Sequence, residues 1–302
     1  MKFLISGATG LVGTRLVRHL ADRGHTVNFL TMRREELEMF GDAAQGFMWN
    51  PSLKAFDMRS LSGVGTIIHL AGAPISKPWT NDYKKQILSS RVDSARLLLE
   101  AVKTHGHTVT HFISASAIGI YKNSLTLVHD ESSIAYADGF LADVVKQWEH
   151  AADAFGELGI SVTKVRTGLV LSADGGALPQ LAKPIKWGLG SPLGSGGQMQ
   201  SWIQIDDLVR IYTFVAENQL SGVYNAVAPK AVSNRELVEQ LARRLKRPLW
   251  LPAVPEFALK IALGERYRLL VESQHVMPTK ILQAGYPFKF ETLPSALAEI
   301  YP

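Results

Sequence analysis

Short apolar runs alternate with amphipathic stretches through the first half of the chain. Residues 2–6 (KFLIS) read as a buried strand. Over residues 11–24, Leu16, Val17, Leu20 and Ala21 recur on one helical face, and Gly24 marks the stop. Residues 26–31 (TVNFLT), 46–49 (GFMW) and 65–72 (GTIIHLAG) give three more strands, the last followed by a long helix over 83–106. A fifth strand spans 110–116 (THFISAS), a helix follows over 140–159, and 160–171 (ISVTKVRTGLVL) reads as a sixth strand. Apolar strands separated by helices of this length imply a parallel sheet covered on both faces. The pattern predicts an α/β fold, a Rossmann-like doubly wound parallel sheet over residues 1–170.

The texture then changes. Residues 172–201 are rich in Gly, Pro and Ser and read as a binding or lid loop. Residues from about 202 to 228 return to strand and helix and are expected to rejoin the first domain. Ser233 with Glu236 three residues on is a capping box. Scattered prolines mark residues 248–302. Residues 171–302 are therefore expected to build a smaller substrate or lid lobe.

Composition narrows the chemistry. No cysteine is present, which excludes disulfides, thiolate catalysis and Cys-ligated zinc. No run approaches the roughly 18 apolar residues that cross a bilayer. With no signal peptide ahead of the first strand, a cytoplasmic protein without a membrane partner is expected. The net charge of +5 is dispersed, with only Arg pairs at 33–34 and 243–244. Nucleic-acid binding is not expected, and the mild positive bias suits an anionic small molecule.

Gly7, Gly10 and Gly13 lie between the first strand and the first helix. In that context the first serves a turn, the second a close approach to a pyrophosphate, and the third helix–sheet packing. About 20 residues on, Arg33 and Arg34 stand where an acidic residue would grip a ribose hydroxyl. Arginine forks suit a 2′-phosphate, so NADP(H) is preferred over NAD. The alternative is that the two arginines solvate a helix start. Trp49 and Asn50 follow the third strand, where the adenine usually lies.

The stretch SGATGLVG resembles the extended short-chain dehydrogenase/reductase family. IIHLAGAP (67–74), FISASAIGIY (112–121), KVRTGLVL (164–171) and GSGGQMQSWIQIDDL (194–208) resemble further family segments. Together they are most similar to an atypical, epimerase-like subgroup of uncertain function, sometimes labelled SulA-like, and the resemblance covers nearly the whole chain. It implies a cofactor set of Gly7, Thr9, Gly10, Leu11, Val12, Gly13, Arg33, Arg34, Trp49, Asn50, Leu70, Ala71, Gly72, Arg91 and Ser114. Ser116 stands in place of the family's active-site serine.

The departures from the family bear on function. Its chemistry uses a Tyr-x-x-x-Lys pair, and here Phe140 and Val144 hold those places. Lys146, two residues along, is rotated about 200° off that face. Tyr121 and Tyr136 lie nearby and, with a water held by Ser116, are the candidate proton donors. Gln200 and Gln204 replace an arginine and a histidine of the sugar-nucleotide enzymes, and an amide cannot balance a diphosphate. Arg91 replaces an asparagine. It either faces the pocket, where it would meet an anionic substrate or a cofactor phosphate, or lies on the helix surface.

Other groups are read as structural. His105, His107 and His111 are taken as a solvated turn, and no metal is expected. Asp206 and Asp207 are taken as helix-opening carboxylates. Trp79 and Trp202 either wall the pocket or pack the core. The function expected is an NADP(H)-binding, oxidoreductase-like or epimerase-like protein acting on an unidentified small molecule. The alternative is a catalytically silent NADP(H) sensor or interaction protein, which the subgroup's label would connect with cell division. The long helix over 83–106 is a candidate homodimer contact.

Overall fold

A computed structural model describes residues 1–105 and 108–302 of the chain. Eight strands form the main sheet: β1 (Lys2–Ser6), β2 (Thr26–Thr31), β3 (Gln45–Asn50), β4 (Ala55–Phe56), β5 (Thr66–His69), β6 (His111–Ala117), β7 (Ser161–Thr167) and β8 (Gly222–Ala226). Their order is β8-β7-β6-β5-β1-β2-β3-β4. All neighbours run parallel except β3 and β4, and β1 is central, with Ile5 opposite Phe29 on one side and Ile68 on the other. The predicted doubly wound α/β sheet is the fold observed.

The helices cover both faces. On one, α1 (Leu11–Asp22) buries Leu16, Val17 and Leu20 beside α5 (Ile205–Glu217). On the other, α2 (Asn81–Thr104) and α3 (Phe140–Asp153) pack side by side. Burying each such Leu or Val is worth roughly 1.5–3 kcal/mol, so the apolar stripes read in the sequence hold the layers together. The strand at 222–226 lies at the edge of this sheet, next to β7. A separate core forms where α4 (Ala177–Lys186), α6 (Asn234–Arg244) and the helix Leu293–Ile300 meet around Trp202.

The run at 160–171 is not one strand. It breaks at Gly168, and Leu169–Leu171 leaves the main sheet to pair with Trp202–Gln204. A side chain on Gly168 would strike the Ser201 carbonyl oxygen, so the two segments cross there at backbone distance. Ser233 does cap α6 through the Glu236 amide at 3.1 Å, but the Glu236 carboxylate accepts from Gln240 instead of closing the box.

The solvated turn read at the histidines holds only in part. His105 ends α2 exposed and His107 lies outside the described residues. His111, however, is not solvated: it opens β6, is buried, and its Nε2 lies 2.8 Å from the Thr163 hydroxyl. Burial holds its pKa down to about 4. As expected, Asp206 and Asp207 both stand in the first turn of α5, although the N-cap itself is Gln204, and Asp207 has a further task. Its buried carboxylate accepts from the Tyr286 hydroxyl and the Lys289 and Phe290 amides at 2.8–2.9 Å, tying down the C-terminal segment. Among the described residues no helix is long and apolar enough to cross a membrane, and no cluster of acidic or histidine side chains is placed to hold a metal.

Candidate functional site

The strand order reverses between β1 and β5. At such a switch point the loops leaving neighbouring strands diverge and open a crevice. On the β1 side the chain turns at Gly7, with φ +72°, where a side chain would also come within 2.7 Å of the Leu70 backbone. The Gly10 amide donates to the Gly7 carbonyl at 3.1 Å. Gly10 is the N-cap of α1 and brings no side chain, so the amides of Leu11, Val12 and Gly13 have no side-chain cap. A methyl on Gly13 would strike the Gly7 carbonyl oxygen, so glycine lets α1 dock directly on the loop. Leu70, Ala71 and Gly72 form the other side, and Thr9 is partly exposed above them. Donor amides at a helix start, with bare backbone around them, suit a pyrophosphate.

At the end of β2, the Thr31 hydroxyl donates to Glu36 at 2.5 Å and Glu36 ion-pairs with Arg33. Arg34 is exposed, with no side-chain hydrogen bond or ion pair among the described residues. Trp49 packs into the core with Leu4, Leu30 and Phe47. The Asn50 carboxamide accepts from the Ser52 and Leu53 amides. Trp49 thus serves the core, and the Asn50 side-chain oxygen the turn after β3. Ser114 is buried in β6, its hydroxyl donating to the Ala115 carbonyl at 2.9 Å.

Beyond this loop lies a cavity of about 830 Å³. Phe140, Val144 and Trp148, each four residues apart on α3, form one wall, and Trp79 meets Phe140 edge-on at 5.4 Å. Arg91 enters from α2 and faces this cavity. Its guanidinium lies 5.1 Å from the Trp148 ring, packs on Gly72, and donates to the Ile87 and Ala73 carbonyls. Burial lowers its pKa to about 10, and it has no carboxylate partner among the described residues. Lys146 points away, its ammonium on the Ala137 carbonyl at 3.1 Å. Trp202 is in the C-terminal core, donating to Lys230.

The three candidate proton-handling residues form a different cluster, off the cavity wall. The Ser116 hydroxyl donates to Glu149 at 2.6 Å, and Glu149 takes a two-pronged ion pair from Arg166 at 2.7 and 2.8 Å. Arg166 also donates to the Tyr121 hydroxyl, which donates to Asn225, both at 2.9 Å. The Tyr136 ring lies 5.7 Å from the Arg166 guanidinium. Burial pushes the Glu149 carboxyl up, but Arg166 and then Ser116 outweigh it and hold the pKa below the usual range. Burial raises the Tyr121 pKa, against the pull of Arg166.

Sequence reasoning missed Glu149 and Arg166. A charged residue inside the apolar 160–171 strand was the available signal. Within the lid lobe expected at 171–302 it assigned no element to the cavity's cover, which runs from α7 (Glu256–Leu263) through α8 (Arg268–Val271) to Gln274. The cover is latched by Glu265 to Lys84 at 2.6 Å and by Arg266 to the Ser76 carbonyl at 2.5 Å.

The profile of the NAD dependent epimerase/dehydratase family matches residues 3–226, and a domain of unknown function (DUF1731) matches residues 254–300. An epimerase family protein of Staphylococcus haemolyticus is 35% identical, the match covering 99% of this chain and 98% of the relative. The chloroplastic SDR39U1 homolog of Arabidopsis thaliana is 36% identical over 99% of this chain and 86% of its own. The crystal structure of human epimerase family protein SDR39U1 (isoform2) with NADPH superimposes with a TM-score of 0.88 at 32% identity, covering 100% of this chain and 99% of that one.

Proposed function

The chain belongs to the NAD dependent epimerase/dehydratase family, and on that footing we propose that it binds NADP(H) and works as an oxidoreductase-like or epimerase-like protein on a small molecule. The observation that carries this reading is the Gly7–Gly13 loop, closed against Leu70 at the sheet's switch point. The human relative solved with NADPH supports it. The pyrophosphate would lie on the Leu11, Val12 and Gly13 amides, and Arg34, with Arg33, would take the 2′-phosphate. Arg91, a half-buried cation without a countercharge among the described residues, would meet a cofactor phosphate or an anionic substrate group. Bound, the cofactor would supply hydride chemistry.

NADPH fluorescence titration is the test: saturable binding is expected, and a flat titration would remove the cofactor claim. Arg34→Ala is expected to weaken NADPH about 10- to 100-fold, the worth of one charged hydrogen-bond donor. NADH binding should be unchanged. Equal loss for both nucleotides would reassign Arg34.

A second reading has its own observation: Phe140 and Val144, neither able to move a proton, stand on the cavity wall. On that reading the protein binds NADP(H) and serves as a sensor or interaction partner. NADPH oxidation over a panel of carbonyl compounds and quinones separates the two. Turnover favours the enzyme, and tight binding without turnover favours the sensor.

A further inference from the structure

The charged and titratable groups lining the cavity are Arg91 from α2, Asp138 from the loop before α3, and Lys260, Glu265, Tyr267, Arg268 and Glu272 from the cover. The three carboxylates differ in their surroundings. Glu265 is committed to Lys84, and Asp138 is exposed. Glu272 is half-buried, and its carboxylate has no hydrogen-bond or ion-pair partner among the described residues. Burial raises its pKa, opposed by Arg268 one helical turn earlier.

Its position is fixed by its neighbours. The Ser273 amide donates to Asn123 at 2.8 Å, and the Ser273 carbonyl accepts from Ser124 at 3.0 Å. The Ser273 hydroxyl accepts from the Met199 amide at 3.0 Å. Gln274 donates to the Met199 carbonyl through its amide and to the Tyr121 carbonyl through its side chain. On the other flank Gln198 holds the Leu270 carbonyl at 2.9 Å. A carboxylate with no hydrogen-bond or ion-pair partner among the described residues is thus mounted on a segment pinned to residues 121–124 on one side and 198–199 on the other. It lines the same cavity as Phe140, Thr167 and Gly168.

We infer that Glu272 is the acid–base group of this cavity, doing the work for which Phe140 has no proton. The step rests on the nucleotide reading above. In the oxidative direction a substrate C–H bond breaks and its electron pair leaves as hydride for the oxidised nicotinamide. The substrate O–H proton goes to the Glu272 carboxylate, and the carbonyl forms. In reduction the hydride returns to the carbonyl carbon and protonated Glu272 gives its proton to the oxygen. The substrate class is therefore an alcohol or its carbonyl compound, with an apolar body set between Trp79, Phe140 and Trp148.

The test needs no substrate. A carboxylate beside the nicotinamide favours the cationic oxidised ring over the neutral reduced one, and only while ionised. The ratio Kd(NADPH)/Kd(NADP⁺), measured by titration from pH 5 to 9, is expected to rise about threefold or more as Glu272 deprotonates. In Glu272→Gln the ratio should stay flat with pH. Glu272→Asp, which keeps the charge, should retain the rise and covers the case in which the glutamine variant does not fold. A ratio in the wild type no higher than in Glu272→Gln at any pH, or an equal rise in both, would overturn the assignment. If neither nucleotide binds, it is the cofactor reading that fails.

Discussion

Glu149→Ala is expected to lower the stability of the fold by about 3–5 kcal/mol, read as a shift in the urea midpoint. The Arg166 guanidinium is almost completely buried, and Glu149 is its carboxylate partner, bound through two nitrogens. Removing one ion of such a pair leaves the other stranded in a low dielectric, which costs far more than the pair gains. The double variant Glu149→Leu with Arg166→Met removes both charges and should recover most of the loss. An effect of the single change below about 1 kcal/mol would mean that water reaches the site.

The pH dependence has a definite sign. The folded pKa of Glu149 is depressed, so its contribution is complete above the ordinary glutamate value, near 4.3, and is lost as pH falls through the lower folded value. Ser116→Ala removes one neutral donor to the same carboxylate and should cost about 1–2 kcal/mol. NADPH affinity should be kept, since the Ser116 hydroxyl faces Glu149 and not the cavity.

This cluster also shows where sequence reading stopped. The sheet was legible because each strand is a short apolar run and each helix carries one apolar face. β4 escaped because two residues have no period. The break at Gly168 escaped because it depends on how closely Ser201 approaches, about 30 residues away in the chain. Gly7, Gly10 and Gly13 were legible because the turn and the docking of α1 upon it are local, whereas the approach of Leu70 to Gly7 was not. Ser116, Glu149, Arg166 and Asn225 come from different elements, so no spacing announced their contact. The cover over 256–274 lacks a dominant period and is held by single latches such as Glu265 to Lys84. The cavity, and Glu272 within it, therefore became visible only in three dimensions.

Gly13→Ala is expected to cut NADPH affinity by a factor of about 100 to 10,000, corresponding to two charge-assisted hydrogen bonds of roughly 1.5–3 kcal/mol each. The added methyl would overlap the Gly7 carbonyl and crowd the Ala8 backbone at 2.6 Å. Neither is a side chain that can swing aside. The first turn of α1 must back away from the loop, and its amides retreat from where phosphate oxygens would sit. Gly24→Ala, at the other end of the same helix, is the control. Its φ is +78°, yet a side chain there meets nothing within 4 Å. It should cost about 1 kcal/mol of stability for the left-handed backbone and leave NADPH binding unchanged. Parallel fluorescence titrations and thermal melts of the two variants separate cofactor loss from general destabilisation. If Gly13→Ala binds NADPH within threefold of the wild type, the close docking of α1 on Gly7 is a packing device and the pyrophosphate lies elsewhere. If only Gly13→Ala loses the nucleotide while both variants melt close together, the spacing of the three glycines is a binding constraint.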